Sequence, residues 1–153
     1  MWNRPGKPTD APWIIPYLTF ADPGEALRFY AEAFGFVERF AQRGQDGLVE
    51  HAEMNWAEDG KIKEGRIMLG PESDLHTAKA PMTSGVPAPV ALYVYTDDVA
   101  ALHTRAIAAG AEEIEEPAVT FWGDRVAILA DPFGYKWTFA QNLADYDPTI
   151  ATR

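Results

Sequence analysis

Cysteine is absent from the 153 residues. Without a thiol there is no disulfide, no zinc–thiolate site and no cysteine nucleophile. The absence fits a reducing cytoplasm, which is the compartment expected here. Positive charge is also scarce: 13 Lys and Arg stand against 23 Asp and Glu, for a formal charge of -10. Such a surface repels phosphate backbones and anionic bilayers, so neither nucleic acid nor a membrane is an expected partner. The plain role of the surplus is solubility; neutral or cationic small molecules remain open as ligands. No apolar run is long enough to span a bilayer, and the opening Met-Trp-Asn-Arg-Pro-Gly-Lys-Pro lacks the apolar stretch of a signal peptide. Nucleophile elbows, phosphate loops and dinucleotide fingerprints are missing too. Histidine occurs three times, at positions 51, 76 and 103, with no ligand-cluster spacing.

What remains is a core-forming chain, 47% hydrophobic and 12% aromatic, of a length suited to one domain spanning residues 1–153. An extended, proline-bearing arm leads into a strand at Trp13–Phe20, rich in β-branched and aromatic residues. Asp22, Pro23 and Glu25 then read as the cap, first residue and capping-box partner of a helix. Its apolar face is Ala26, Phe29, Tyr30, Ala33 and Phe34, and Gly35 is its stop. Strands are expected at Phe36–Gln42, Leu48–Trp56 and Arg66–Gly70, with Asp59-Gly60 turning between the last two. Residues 71–89 read as a long, proline-containing connection. The order then restarts: a strand at Val90–Tyr95, a helix capped by Asp97-Asp98 and stopped by Gly110, and strands at Glu112–Glu115, Arg125–Ala130 and Tyr135–Gln141. Asp131-Pro132-Phe133-Gly134 forms a tight turn. The acidic cluster Glu112–Glu116 reads as a solvated strand edge whose charge discourages pairing.

Strand–helix–three strands therefore occurs twice, in halves of about residues 12–70 and 90–142. The helix caps Asp22 and Asp98 each lie seven residues after a strand position, Ile15 and Ala91. The expected class is α+β, two βαβββ repeats forming a curved mixed sheet with helices outside and a cleft inside. The segments Pro16–Phe36, Ala91–Pro117 and Trp122–Ala140 resemble, in order and spacing, the vicinal oxygen chelate superfamily of glyoxalase I, bleomycin-resistance proteins and extradiol dioxygenases. Fold resemblance does not specify function.

The resemblance implies a homodimer and, in metal-dependent members, four cleft ligands. Carried over, those positions are Ile15, Met68, Ala91 and Thr138. Aliphatic carbons cannot hold a divalent ion and a lone thioether or hydroxyl holds one poorly, so no metal and no cofactor is expected. His51 and Glu53, two apart on one strand, form a polar pair for which a metal is conceivable and a hydrogen-bonded pairing is the plainer reading. If Ile15 and Ala91 face the cleft, so do Tyr17, Thr19, Tyr93 and Tyr95, joined by Met68 and Thr138. Those rings suit a planar or cationic ligand, though they could equally fill the cleft with hydroxyls in water. Trp122 could stack on a ligand and Arg125 could clamp a carboxylate, or Asp124 and Arg125 could brace their loop. Trp137 should face the helices. Two functions follow. One is a metal-independent protein that binds a small aromatic or cationic molecule. The other is a glyoxalase-type lyase or isomerase on a small carbonyl compound, with Arg125 or a tyrosine as electrophile and His51 or Glu53 as base.

Overall fold

A computed structural model describes residues 4–149. The chain divides into two compact units: one holds the residues up to Ala31 together with Gly35–Lys79, the other Glu32–Phe34 with Ala80 onward. The first unit carries β1 (Tyr17–Phe20), α1 (Pro23–Phe29), β2 (Val37–Arg43), β3 (Val49–Glu58) and β4 (Lys61–Pro71). The second carries a short α2 (Pro81–Ser84), β5 (Ala91–Tyr95), α3 (Val99–Ala108), β6 (Glu112–Val119), β7 (Asp124–Ala130) and β8 (Lys136–Asn142). A single π-helical turn, Tyr30–Phe34, extends α1 to Gly35, whose left-handed φ of 84° ends it. The two sheets repeat one topology, β1-β4-β3-β2 and β5-β8-β7-β6, with the outer pairs β1/β4 and β5/β8 parallel and the rest antiparallel. Among the described residues no helix is long and apolar enough to cross a membrane.

In each unit one sheet face is dry and one is not, because strand residues alternate between faces. In the first, Leu18, Phe20, Ala52, Met54, Ile67 and Leu69 are buried beneath α1, with Tyr30 packed edge-on against Phe20 at 5.9 Å. In the second, Ala127, Leu129, Trp137 and Phe139 are buried beneath α3. Trp137 is fully buried on the helix side, as its alternation predicts. Phe34 belongs to this second core, its ring 5.1 Å from Trp137 and 4.8 Å from Phe139.

Several expectations shift. The first strand begins at Tyr17, not Trp13; Pro16 offers no N–H to a ladder, and its carbonyl accepts the N–H of Met68 as the last backbone bond of the β1–β4 ladder. Trp13 and Ile14 are accordingly exposed. β4 starts five residues before Arg66, because Asp59 (φ 49°) and Gly60 (φ 74°) make a tight two-residue turn that pairs Lys61 with Glu58 at once. β6 runs on to Val119 through Pro117, which an edge strand with register shifts tolerates. The expected long connection contains α2 and a bridge between Ser73 and Ala78. Asp22 caps α1 by accepting from the N–H of Gly24 at 2.9 Å, without the reciprocal Glu25 bond of a capping box among the described residues.

Candidate functional site

The open face of the second sheet is built around a carboxylate. Asp124 opens β7 opposite Asn142, and the same alternation carries Val126, Ile128, Thr138 and Ala140. Tyr93 and Tyr95 of β5 stand beside Thr138 and Ala140. Asp124 is 1% exposed, and donors converge on it: Tyr93 Oη at 2.8 Å, Tyr95 Oη at 3.0 Å and Trp122 Nε1 at 3.1 Å reach Oδ2, and Asn142 Nδ2 reaches Oδ1 at 2.8 Å. Trp122 Nε1 also lies 3.2 Å from Tyr93 Oη. Burial raises the Asp124 pKa, but the bonds from Asn142, Tyr93, Tyr95 and Trp122 together outweigh it and hold the value below 3.8, so the group is an anion at neutral pH. No cationic side chain pairs with it among the described residues. The tyrosines respond in the opposite sense. Burial, followed by the Asp124 bond and charge, pushes Tyr93 up to about 12 against the relief given by Trp122. The Asp124 bond leads the rise at Tyr95. The rings stay reachable, Tyr93 being 47% and Tyr95 56% exposed, with their centroids 5.5 Å apart at 61°. Phe121 continues the row edge-on to Trp122 at 4.9 Å.

The open face of the first sheet carries the opposite emphasis. Tyr17 pairs in register with Met68, which in turn lies opposite Glu53. Tyr17 Oη is 3.2 Å from His51 Nδ1, and His51 Nε2 is 3.6 Å from Glu53 Oε1. Burial raises the Tyr17 phenol. Glu53 Oε2 is held by Arg39 Nη1 at 3.2 Å and Arg66 Nη1 at 3.6 Å. Asp10, from the N-terminal arm, sits on the same two guanidinium groups. Thr19 lies opposite Gly70, and a side chain at Gly70 would run into the Tyr17 phenol, so that glycine keeps the ring close to the sheet.

The profile of the Glyoxalase/Bleomycin resistance protein/Dioxygenase superfamily matches residues 14–139, most of the chain. The protein belongs to this superfamily. Its two βαβββ units are those of the glyoxalase/bleomycin-resistance fold. Among the chain's relatives, uncharacterized protein Mb0911c of Mycobacterium bovis is 32% identical over 137 residues, covering 88% of this chain and 86% of its own. TioX from Micromonospora sp. ML1 superposes with a TM-score of 0.64 at 23% identity, over 85% of this chain and 98% of that one. TnmS3, an antibiotic binding protein from Streptomyces sp. CB03234, does so with 0.54 at 23%, over 86% and 98%.

Metal-dependent members of the glyoxalase superfamily would need donors that this chain's residues do not supply at Ile15, Met68, Ala91 and Thr138. His51 and Glu53 do share a face, but Glu53 already carries two guanidinium groups, whose charge opposes a cation at the same oxygens. The residues present do not fit the family's metal.

Of the residues singled out in the sequence, the structure gathers Tyr93, Tyr95, Trp122 and Thr138 on one face, and Tyr17, Thr19, His51, Glu53 and Met68 on another. Arg125 is not gathered. It alternates away from Asp124 and lies opposite Gln141, whose Oε1 accepts the N–H of Val99 at the head of α3, so Arg125 is on the helix side. The loop brace expected between Asp124 and Arg125 is replaced by the Trp122 and Thr120 bonds to Asp124. His76 is exposed, and His103 reaches Glu113 at 2.7 Å, away from either site. Sequence reasoning saw Asp124 only as a loop brace and missed Asn142, Arg39, Arg66 and Asp10. For Asp124 and Asn142, alternation from Thr138 was the available signal; for Asp10 there was none.

Proposed function

We propose that this protein binds a small cationic or aromatic compound on the Tyr93–Tyr95–Trp122 face of its second unit, without a metal and without transforming it. The observation that carries the reading is the buried Asp124 anion behind hydrogen-bonded rings, two exposed (Tyr93 and Tyr95) and one half-buried (Trp122). Its charge adds to the negative faces of Tyr93, Tyr95 and Trp122, and cation–π attraction of this kind contributes about 0.5–2 kcal/mol per contact. Because each ring's polar edge is tied to Asp124, the surface is set before a ligand arrives, which lowers the ordering cost of binding. Thr138 supplies a hydroxyl beside Tyr93. Arg125 is left out because it faces α3. The description of TnmS3 as an antibiotic binding protein lends support, since the fold is shared.

Thermal-shift titration tests the reading. Bleomycin, a cationic compound with planar rings, is expected to raise the melting temperature in proportion to the logarithm of its concentration. Trp122→Ala is expected to remove most of the rise while leaving the unliganded protein folded. No shift with bleomycin or with simpler aromatic cations would overturn it.

One arrangement favours the second reading, a glyoxalase-type lyase or isomerase: His51 stands between the Tyr17 hydroxyl and Glu53, as an acid–base group oriented by its neighbours would. Incubation with the methylglyoxal–glutathione hemithioacetal decides this. Thioester formation abolished by His51→Gln would establish the enzyme, and its absence is expected.

A further inference from the structure

The first unit contains a cavity of about 630 Å³ between the N-terminal arm and the β3–β4 hairpin, within the size range of small-molecule sites. Its apolar wall includes Pro12, Trp13 and Ile62; its polar floor includes Asn55, Arg66 and Asp10. At the mouth the Lys7 ammonium stands 5.3 Å above the Trp13 ring. On that floor Asp10 is held by a carboxylate grip made of the lining residue Arg66 and of Arg39, which reaches Asp10 from outside the cavity lining. Arg39 Nε at 3.3 Å, Arg39 Nη2 at 3.2 Å and Arg66 Nη2 at 3.4 Å all address one oxygen, Asp10 Oδ2. Arg66 is fixed: its side chain is 5% exposed, and its Nε donates to Asn55 Oδ1 at 2.9 Å. Arg66 Nη2 also donates to the Asp10 backbone carbonyl at 3.2 Å, which anchors the arm, but the Asp10 carboxylate itself is 59% exposed and outside the sheet, so it is the exchangeable part of the contact.

The charges around this position favour an anion. Arg39 and Arg66 carry two positive charges and the buried Glu53 one negative. Asp10 brings the group to neutrality, and any other carboxylate in its place would do the same. An exposed ion pair of this kind is weak and exchangeable, and a guanidinium pair is shaped for two carboxylate oxygens.

We propose that this cavity binds a small organic acid with an apolar body, and that Asp10 is the built-in occupant of its carboxylate position. The acid's carboxylate replaces Asp10 on Arg39 and Arg66, and its apolar part lies against Trp13, Pro12 and Ile62. This site is separate from the cation-selective face of the second unit and opposite to it in charge preference, so either can fail without the other.

Calorimetric titration of the full-length protein with indole-3-acetate, using indole-3-acetamide as the uncharged control, tests the proposal. Asp10→Asn removes the competing anion from an exposed position, and binding of the acid is expected to tighten roughly fivefold or more, as the fraction of open sites rises. The amide should be unaffected. Adding Arg39→Gln to the Asp10→Asn protein should remove the gain. In the wild-type protein, the Arg39 side-chain N–H resonance should shift with the acid and not with the amide, which tests the site independently of any variant. Equal binding of acid and amide, or no gain in the Asp10→Asn protein together with an unmoved Arg39 resonance, overturns the proposal.

Discussion

At the scale of single residues, the second-unit site turns on Asp124 and on the loop that delivers Trp122. The Tyr93 phenol is expected to stay protonated until about pH 12. Its folded pKa lies above the unfolded value of 10.0, so its contribution to stability is complete below pH 10 and is lost as the pH climbs towards 12. A 295 nm titration of wild type against Tyr93→Phe should show their phenolate absorbance diverging only at the top of that window; divergence near pH 10 would mean that the bond to Asp124 is not held in solution. Asp124 has the opposite sign. Its folded pKa lies below 3.8, so its stabilisation is present above that value and fades as acid takes the pH below it. Gly123 is the other sensitive residue. Its φ is 93°, and a side chain there would collide with the Ala144 carbonyl, which is backbone and cannot swing aside. Gly123→Ala is expected to cost about 2–3 kcal/mol in urea unfolding, from left-handed strain and the collision combined. It should also weaken bleomycin binding by displacing Trp122. A cost under half a kilocalorie would show that the loop relaxes freely.

At the scale of elements, legibility followed how much of each element's pattern is local. Helices α1 and α3 could be read because cap, apolar spacing and stop lie within fourteen residues in each. Asp98 accepts from the N–H of Ala101 at 3.0 Å, and α3 ends near Gly110. Asp98→Ala is therefore expected to destabilise by about 1 kcal/mol, with Asp98→Asn close to neutral, as measured by chemical unfolding. Equal losses in the two variants would mean that charge and not the hydrogen bond does the capping. The face of Tyr93 and Tyr95 was read by counting in twos from Ala91, whose cleft position came from the family resemblance and not from the unbroken apolar run itself. Arg125 shows the limit. Asp124 and Arg125 take opposite faces whichever of them opens β7, and the unbroken apolar run Val126–Ala130 after them carries no alternation to say which one faces the open side. The first half of β4, Lys61–Gly65, has a single apolar side chain, the exposed Ile62, and so carries no apolar alternation; only the turn before it hinted at a strand. The Asp10 contact with Arg66 spans 56 residues and has no local pattern at all.

At the scale of the molecule, duplication explains why the fold was legible and the sites were not. Two copies of one βαβββ order repeat the dry face of the sheet, because each copy must bury apolar side chains under its own helix. The open faces are free to diverge, and they did: one gathers guanidinium groups around Glu53, the other gathers phenols and an indole around Asp124. The copies are not interchangeable in their cores either. Phe34 lies at the end of the first repeat's helix, yet it is wholly buried among the second unit's aromatic rings, against Trp137 and Phe139. A chain beginning at Ala80 would therefore keep every strand of the second sheet and lose a central piece of its core. Removing a buried phenylalanine costs about 3–5 kcal/mol, a large part of the 5–15 kcal/mol by which domains are usually stable. Phe34→Ala in the full chain is expected to lower stability by that amount and to release the β8 amides to hydrogen exchange before those of β3. The fragment from Ala80 is expected to melt without a cooperative transition. A dispersed amide spectrum and a sharp melt from that fragment would show instead that the second repeat closes its core without the first.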